Sequence, residues 1–317
     1  MTSHKSVVAL SLLPFFVLAP AMAQPNEPEP AYIFTSFRNN GQDGLYLAYS
    51  HDGLKWTPLK NDKPFLAPQV GGKLMRDPCI IQGPDDVFHM VWTTSWHDKG
   101  IGIAHSKDLI EWSDQQFVPV MEKQPTARNC WAPEITWDPD GKQYVIYWAT
   151  TIPKKFTETA KAADRGWNHR MYCTTTKDFK AYSETKLFYE PGFNVIDSTI
   201  TRFGDRCVMV LKDETRRPPA KNLRLAFSDR VTGPFSAATD PFTPTGLWVE
   251  GPTILKVGDN WIVYFDAYAT HKYGAMQTSD FEKWEDISGE LTVPEGMRHG
   301  TTLAVSTEVL DKLKRQE

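Results

Sequence analysis

The sequence predicts an all-β chain folded as a five-bladed β-propeller, and three observations carry that prediction. One short pattern recurs five times: Ser/Thr-x-Asp, three residues, then an aromatic. It stands at Ser50-His51-Asp52 to Trp56, Ser106-Lys107-Asp108 to Trp112, Thr176-Lys177-Asp178 to Tyr182, a looser Ser228-Asp229 to Phe235, and Thr278-Ser279-Asp280 to Trp284. Its starts are 56, 70, 52 and 50 residues apart, close to the period of roughly 40–50 residues that marks a propeller blade. Short β-rich runs precede the copies, such as Val87–Trp92, Tyr144–Trp148, Cys207–Leu211 and Trp261–Phe265, bounded by turn signals such as Asp138-Pro139-Asp140-Gly141 and Gly258-Asp259.

The elements follow in order. Residues 1–23 read as a secretory signal: Lys5, an apolar run from Val7 to Leu18, and Ala21-Met22-Ala23 as the cleavage site. The run is too short to span a membrane, so an exported chain, periplasmic or secreted, is expected, with no membrane attachment after cleavage. Residues 24–31 form a proline-rich linker, and 32–317 form one catalytic-sized propeller domain. Tyr32 to Trp56 is the outer part of a blade that lacks its inner strand. Arg298 to Val305 is an inner strand that lacks its outer part. Together they close the last blade and leave no open sheet edge. Pro153 to Asn168 is a long insertion, read as a rim loop, and 306–317 is a short terminal helix or tail. The Asp of the repeated pattern is expected to cap its turn by accepting backbone N–H groups.

Composition narrows the function. The net charge is −4 with both signs interspersed, and aromatics make up 12% with 11 Trp. No basic face is implied, so nucleic acid is excluded as a partner, while large rings serve both blade packing and sugar stacking. Cys79, Cys130, Cys173 and Cys207 each sit in an apolar run without paired spacing, which reads as buried free thiols.

Five segments lead the five inner strands: Met75-Arg76-Asp77-Pro78, Cys130-Trp131-Ala132-Pro133-Glu134, Asn194-Val195-Ile196-Asp197, Trp248-Val249-Glu250-Gly251-Pro252 and Arg298-His299-Gly300. Propeller geometry points their Asp77, Glu134, Asp197, Glu250 and His299 at the mouth of one channel. Carboxyls crowded there raise one another's pKa, and an acid beside a carboxylate base is what glycoside hydrolysis requires. Alternatively, acidic strand starts cap turns or bind a cation. Trp92, Trp96, Trp148 and Trp167 are candidate sugar platforms or core rings. Glu134 is a candidate substrate contact, with Asn129 and Trp131 beside it as candidate lining of the same pocket, and Lys212 and Arg216 in the third blade are further candidate contacts.

In this order and at this spacing, these segments resemble glycoside hydrolase family 43 along the whole chain after residue 23. The resemblance implies an inverting reaction with Asp77 as general base, Asp197 as the residue that tunes and holds the acid, and Glu250 as general acid. It implies no required cofactor, although His299 becomes a candidate ligand for a calcium ion in the channel. Arg298 beside it becomes a candidate substrate contact. The expected substrate is an oligo- or polysaccharide, the expected state a monomer, and the expected activity exo-acting release of α-L-arabinofuranose. A β-galactosidase or β-xylosidase on the same scaffold is the nearest alternative. A binding propeller without catalysis, or a phosphorylase using Arg76, Arg216, Arg217 and Arg298 for phosphate, belongs to other classes.

Overall fold

The computed structural model describes residues 1–2 and 29–316, so the signal and most of the linker expected from the sequence lie outside the described residues. The chain opens with β1 (Ala31–Ser36), β2 (Tyr46–Ser50) and β3 (Thr57–Pro58). The first complete blade is β4 (Arg76–Gln82), β5 (Phe88–Thr93), β6 (Ile101–Ser106) and β7 (Gln116–Val118). The second is β8 (Trp131–Asp138), β9 (Gln143–Thr151), β10 (His169–Thr176) and β11 (Lys186–Tyr189), and the third is β12 (Val195–Phe203), β13 (Arg206–Asp213) and β14 (Asn222–Ser228). The fourth is β15 (Glu250–Val257), β16 (Asn260–Ala267), β17 (Lys272–Thr278) and β18 (Glu285–Asp286). Last come β19 (Thr302–Val305) and the helix α1 (Thr307–Lys314). The five sheets are antiparallel, and β19 pairs with β1 in the order β19-β1-β2-β3.

This is the predicted five-bladed propeller with its last blade shared between the chain ends. Closure is specific at its first rungs. The Thr35 N–H donates to Thr301 C=O at 2.9 Å, and the Thr301 N–H donates to Thr35 Oγ1 at 2.8 Å. A Cβ on Gly300 would stand 1.8 Å from the Thr35 carbonyl oxygen, so only glycine lets the two ends meet.

The recurring Asp residues cap turns. In the first copy, Leu54 and Lys55 donate their N–H groups to Asp52 Oδ1 at 2.8 and 2.9 Å, and Gly53 N–H donates to Ser50 Oγ at 2.9 Å. Asp108, Asp178 and Asp280 repeat the arrangement. The residue after each Asp (Gly53, Leu109, Phe179, Phe281) takes a positive φ, and its carbonyl accepts the ring N–H or O–H of the pattern's aromatic in three copies, from Trp56, Trp112 and Tyr182.

The third blade departs from the expected four strands. Past β14 the chain carries Pro234, Pro241 and Pro244, which cannot donate to a ladder. A side-chain ladder takes the place of a fourth strand. Ser236 Oγ, Thr239 Oγ1 and Thr243 Oγ1 accept the N–H groups of Phe227, Leu225 and Leu223 at 3.0, 3.0 and 3.2 Å. The backbone N–H groups of Ser236, Thr239 and Phe242 return to the carbonyls of the same three residues.

Five apolar clusters fill the five interfaces between blades. Ile33, Leu45 and Leu47 of the last blade pack on Ile80, Phe88, Met90 and Trp92 of the first, where Leu310 and Leu313 of α1 also dock. All four cysteines are buried and unbonded to one another.

One interface holds a polar chain. His89 Nδ1 and His105 Nδ1 lie 2.8 Å apart, and His89 Nε2 meets Tyr144 Oη at 3.0 Å and Asp85 Oδ1 at 3.2 Å. One proton between two ring nitrogens requires at least one neutral imidazole. Burial pushes His105 down to about 4 and lowers His89 as well. A histidine held below its ordinary ~6.5 contributes stability that is full above that value and is lost as pH falls toward 4. The thermal midpoint is therefore expected to drop between pH 6.5 and 4, and His105→Gln to flatten that slope. An identical slope in the variant would show that the pair does not govern acid sensitivity.

Candidate active site

Four inner strands carry the same irregularity. Register slips by one residue between Arg76 and Cys79, Trp131 and Glu134, Ile196 and Ser198, and Glu250 and Thr253. Within each slip one residue adopts a positive φ: Asp77 (52°), Ala132 (44°), Asp197 (48°) and Gly251 (59°). A bulge re-aims side chains, and a non-glycine residue held at positive φ stores roughly 1–3 kcal/mol that the surrounding structure must supply. The bulges turn the strand starts toward the axis, where a pocket of about 340 Å³ is lined by Asp77, Asp197, Glu250, Arg76, Trp131, Arg298 and His299, among others. The three carboxylates selected from the sequence are thus brought together.

Asp77 is held at both oxygens. His299 Nδ1 lies 3.3 Å from Oδ1, and Thr93 Oγ1 donates to Oδ2 at 2.9 Å while accepting the Ala132 N–H at 2.8 Å. Burial works against the charge, yet the His299 bond and charge outweigh it and hold the carboxyl down at about 2. His299 responds in kind: against the effect of burial, Asp77 raises it to about 9. The signs are opposite. The Asp77 charge is lost as pH falls toward 2 and the imidazolium as pH rises through 9, so the pair is intact across the interval between.

Asp197 accepts the Gly251 N–H at Oδ2 at 3.1 Å. Burial pushes its carboxyl up, opposed by His299 and Lys212 and reinforced by Glu250 and Asp77. Glu250 lies between two cations. Arg298 donates to its Oε1 at 3.0 Å and Lys212 to its Oε2 at 3.3 Å. Each cation has a second partner: Arg298 Nε is 2.6 Å from Asp266 Oδ2, and Lys212 Nζ is 2.7 Å from Glu214 Oε2. Glu214 is in turn paired with Lys221.

Several expected contacts are corrected by this geometry. Glu134 does not line the pocket. It stands two residues past its bulge, buried in the channel beside Cys79 and Thr199, and burial raises its carboxyl to about 8. Asn129 is fully buried and spends its amide on Ala149 C=O and the Thr151 N–H, tying down the entry to β8. Trp92 and Trp148 are core rings. Trp92 lies over Gly102, where a Cβ would come within 2.0 Å of the indole. Lys212 is 1% exposed and its ammonium is committed to carboxylates, so it faces Glu250 and not a sugar. Trp131 and Arg298 do line the pocket.

His299 does not fit a calcium site. Its Nδ1 is engaged by Asp77, calcium prefers oxygen donors to an imidazole nitrogen, and among the described residues no group of three or more His, Cys, Asp or Glu is arranged to hold a metal.

Sequence reasoning missed Asn39, Asn40, Thr93, Asp266 and Glu214. The signal lay in strand register. Thr93, Lys212 and Asp266 are the cross-strand partners of Arg76, Ile196 and Glu250, so each is delivered by the second strand of its blade.

Fold and pocket define a five-bladed propeller with a carboxylate-lined axial site. A family profile related to glycosyl hydrolase family 43 and described as a probable glycosyl hydrolase domain matches residues 27–311, and the chain belongs to that family. A curated alpha-L-arabinofuranosidase of Bifidobacterium longum is 25% identical over 304 residues, covering 80% of this chain and 28% of that protein. Among solved structures, the Bacteroides ovatus xyloglucan PUL GH43B superposes with a TM-score of 0.53 at 18% identity, covering 73% of this chain and 43% of the other. The exo-beta-1,3-galactanase of Phanerochaete chrysosporium gives 0.52 at 13% identity, covering 70% and 52%. The chain therefore spans about a quarter to a half of the length of these relatives.

Proposed function

We propose that this protein is an exo-acting glycoside hydrolase that releases terminal α-L-arabinofuranose from plant polysaccharide side chains with inversion. The observation that carries the reading is the convergence of three carboxyls, Asp77, Asp197 and Glu250, on one pocket. Asp77 is kept ionised by His299, while Glu250 stands under Arg298 and Lys212 beside a third carboxyl, Asp197. Asp77 takes a proton from water as that water attacks the anomeric carbon. Glu250 gives its proton to the departing glycosidic oxygen on the opposite face, and Asp197 sets the charge beside it. Inversion places the two carboxyls about 6.5–9.5 Å apart to admit the water.

Two supports bear on the sugar. The curated relative is named an arabinofuranosidase. The pocket is at the small end of ligand cavities, which favours a terminal residue over an internal one. Export after removal of residues 1–23 and a monomeric state belong to the same reading and rest on the sequence.

The test is a panel of nitrophenyl glycosides and plant polysaccharides with products identified and the first-formed anomer followed by NMR. Arabinose released with inverted configuration is expected. Galactose or xylose would reassign the sugar, the retained anomer would reject the single displacement, and binding without release would reject the enzyme reading.

A further inference from the structure

An arc of three indoles with an arginine at each end runs outward from the pocket. The Arg76 guanidinium lies 4.2 Å above the Trp96 ring, and Trp96 meets Trp131 edge to face at 5.4 Å. Trp131 packs at 4.6 Å against Trp167, contributed by the rim insertion, and the Arg128 guanidinium lies 3.7 Å above Trp167. The ring nitrogens of two members are spent on protein: Trp96 Nε1 donates to Asn40 Oδ1 at 2.9 Å and Trp131 Nε1 to Trp96 C=O at 3.0 Å. Trp96 is nonetheless 42% exposed, with the Arg76 guanidinium on one side of its ring.

The two arginines differ in what they answer. Arg76 lines the pocket and its charge helps hold Asp77 ionised. Among the described residues no carboxylate lies within 4.0 Å of Arg128, whose one hydrogen bond goes to Gly166 C=O at 3.1 Å. Stacking and that bond fix the guanidinium plane and leave most of its N–H donors unused. A second unspent group lies at the same place. His169 is 1% exposed, packs against both Trp131 and Trp167, and its Nε2 has no hydrogen-bond partner.

We propose that this arc binds a saccharide carrying a carboxylate, a hexuronate, with its sugar faces on Trp96 and Trp131 and its carboxylate on Arg128. A neutral chain needs the indoles but gives a fixed, unpaired guanidinium nothing to pair with; a uronate supplies the bidentate partner that guanidinium geometry favours. The proposal rests on reading the pocket as a sugar site and adds the acidic substrate class to it.

Binding is measured by calorimetry on the Glu250→Gln protein, so that it is read without turnover. The probes are arabinogalactan oligosaccharides bearing one glucuronate and the same oligosaccharides after carboxyl reduction. At least tenfold tighter binding of the acidic form is expected, with the gap shrinking as salt is added. Arg128→Gln should narrow the gap at least fivefold, and Arg128→Lys, which keeps the charge but loses the fork, should narrow it partway. Arg165→Gln, at an exposed arginine of the rim insertion that carries Trp167, should leave it in place. Equal affinities for the two probes would overturn the proposal, as would an undiminished gap in Arg128→Gln. So would sugar release by the wild type that requires inorganic phosphate, which would assign the guanidinium to phosphate. A wild type that hydrolyses nothing would remove the enzyme reading yet leave the comparison of probes intact.

Discussion

Glu250→Gln is expected to lower kcat on natural linkages by about 10²–10⁴-fold while sparing substrates whose leaving group departs without a proton. The amide keeps the shape of the side chain and can still accept a hydrogen bond from Arg298. It cannot donate a proton to a sugar oxygen. Comparing a dinitrophenyl glycoside with an unactivated disaccharide separates the two cases. Equal losses on both substrates would remove Glu250 from the acid role and return it to binding. The change also deprives Lys212, buried at 1% exposure, of one of its two carboxylate partners. Glu214 remains, so the protein should stay folded with a modestly lower thermal midpoint.

Gly251→Ala is expected to damage both stability and activity. A Cβ at this position would lie 2.3 Å from His299 Cγ and 2.6 Å from Cδ2, on a backbone with φ of 59°. His299 is buried and tied to Asp77, so it cannot retreat without releasing that carboxylate. Gly258→Ala is the matched control, with φ of 58° and no atom within 4 Å of its added Cβ. It carries only the backbone cost of about 1 kcal/mol or slightly more. The excess in Gly251→Ala should appear as several degrees of thermal midpoint and as lost kcat. Similar effects from the two variants would show that contact with His299 is not what fixes Gly251.

The blades were legible because a turn that needs a hydroxyl, a carboxylate and a residue at positive φ leaves a fixed signature at each repeat. Asp77, Asp197 and Glu250 were legible because the repeat gives the phase of the inner strands. Glu134 was misplaced for want of a finer ruler that the sequence also contains. Pro78, Pro133 and Pro252 follow the bulge residue in three blades, as proline can on an edge strand, here the inner strand whose channel-facing edge has no partner. Aligned on them, Ala132 falls at the place of Asp77, and Glu134 falls beside Cys79 and Thr253, deep in the channel. The side-chain ladder that replaces a fourth strand in the third blade was illegible for a different reason. Its hydrogen bonds come from Ser236, Thr239 and Thr243 at intervals of three and four, a spacing that a helix face shows and a strand does not.

The shared last blade also imposes an order of assembly on the chemistry. Arg298 and His299 arrive only with the final strand, yet they grip Glu250 from the fourth blade and Asp77 from the first. A chain cut short ahead of them lacks the imidazolium beside Asp77, the guanidinium on Glu250 and the strand that seals the ring. Chains that stop ahead of Arg298 are therefore expected to be inactive, because the pocket is completed by the strand that closes the ring.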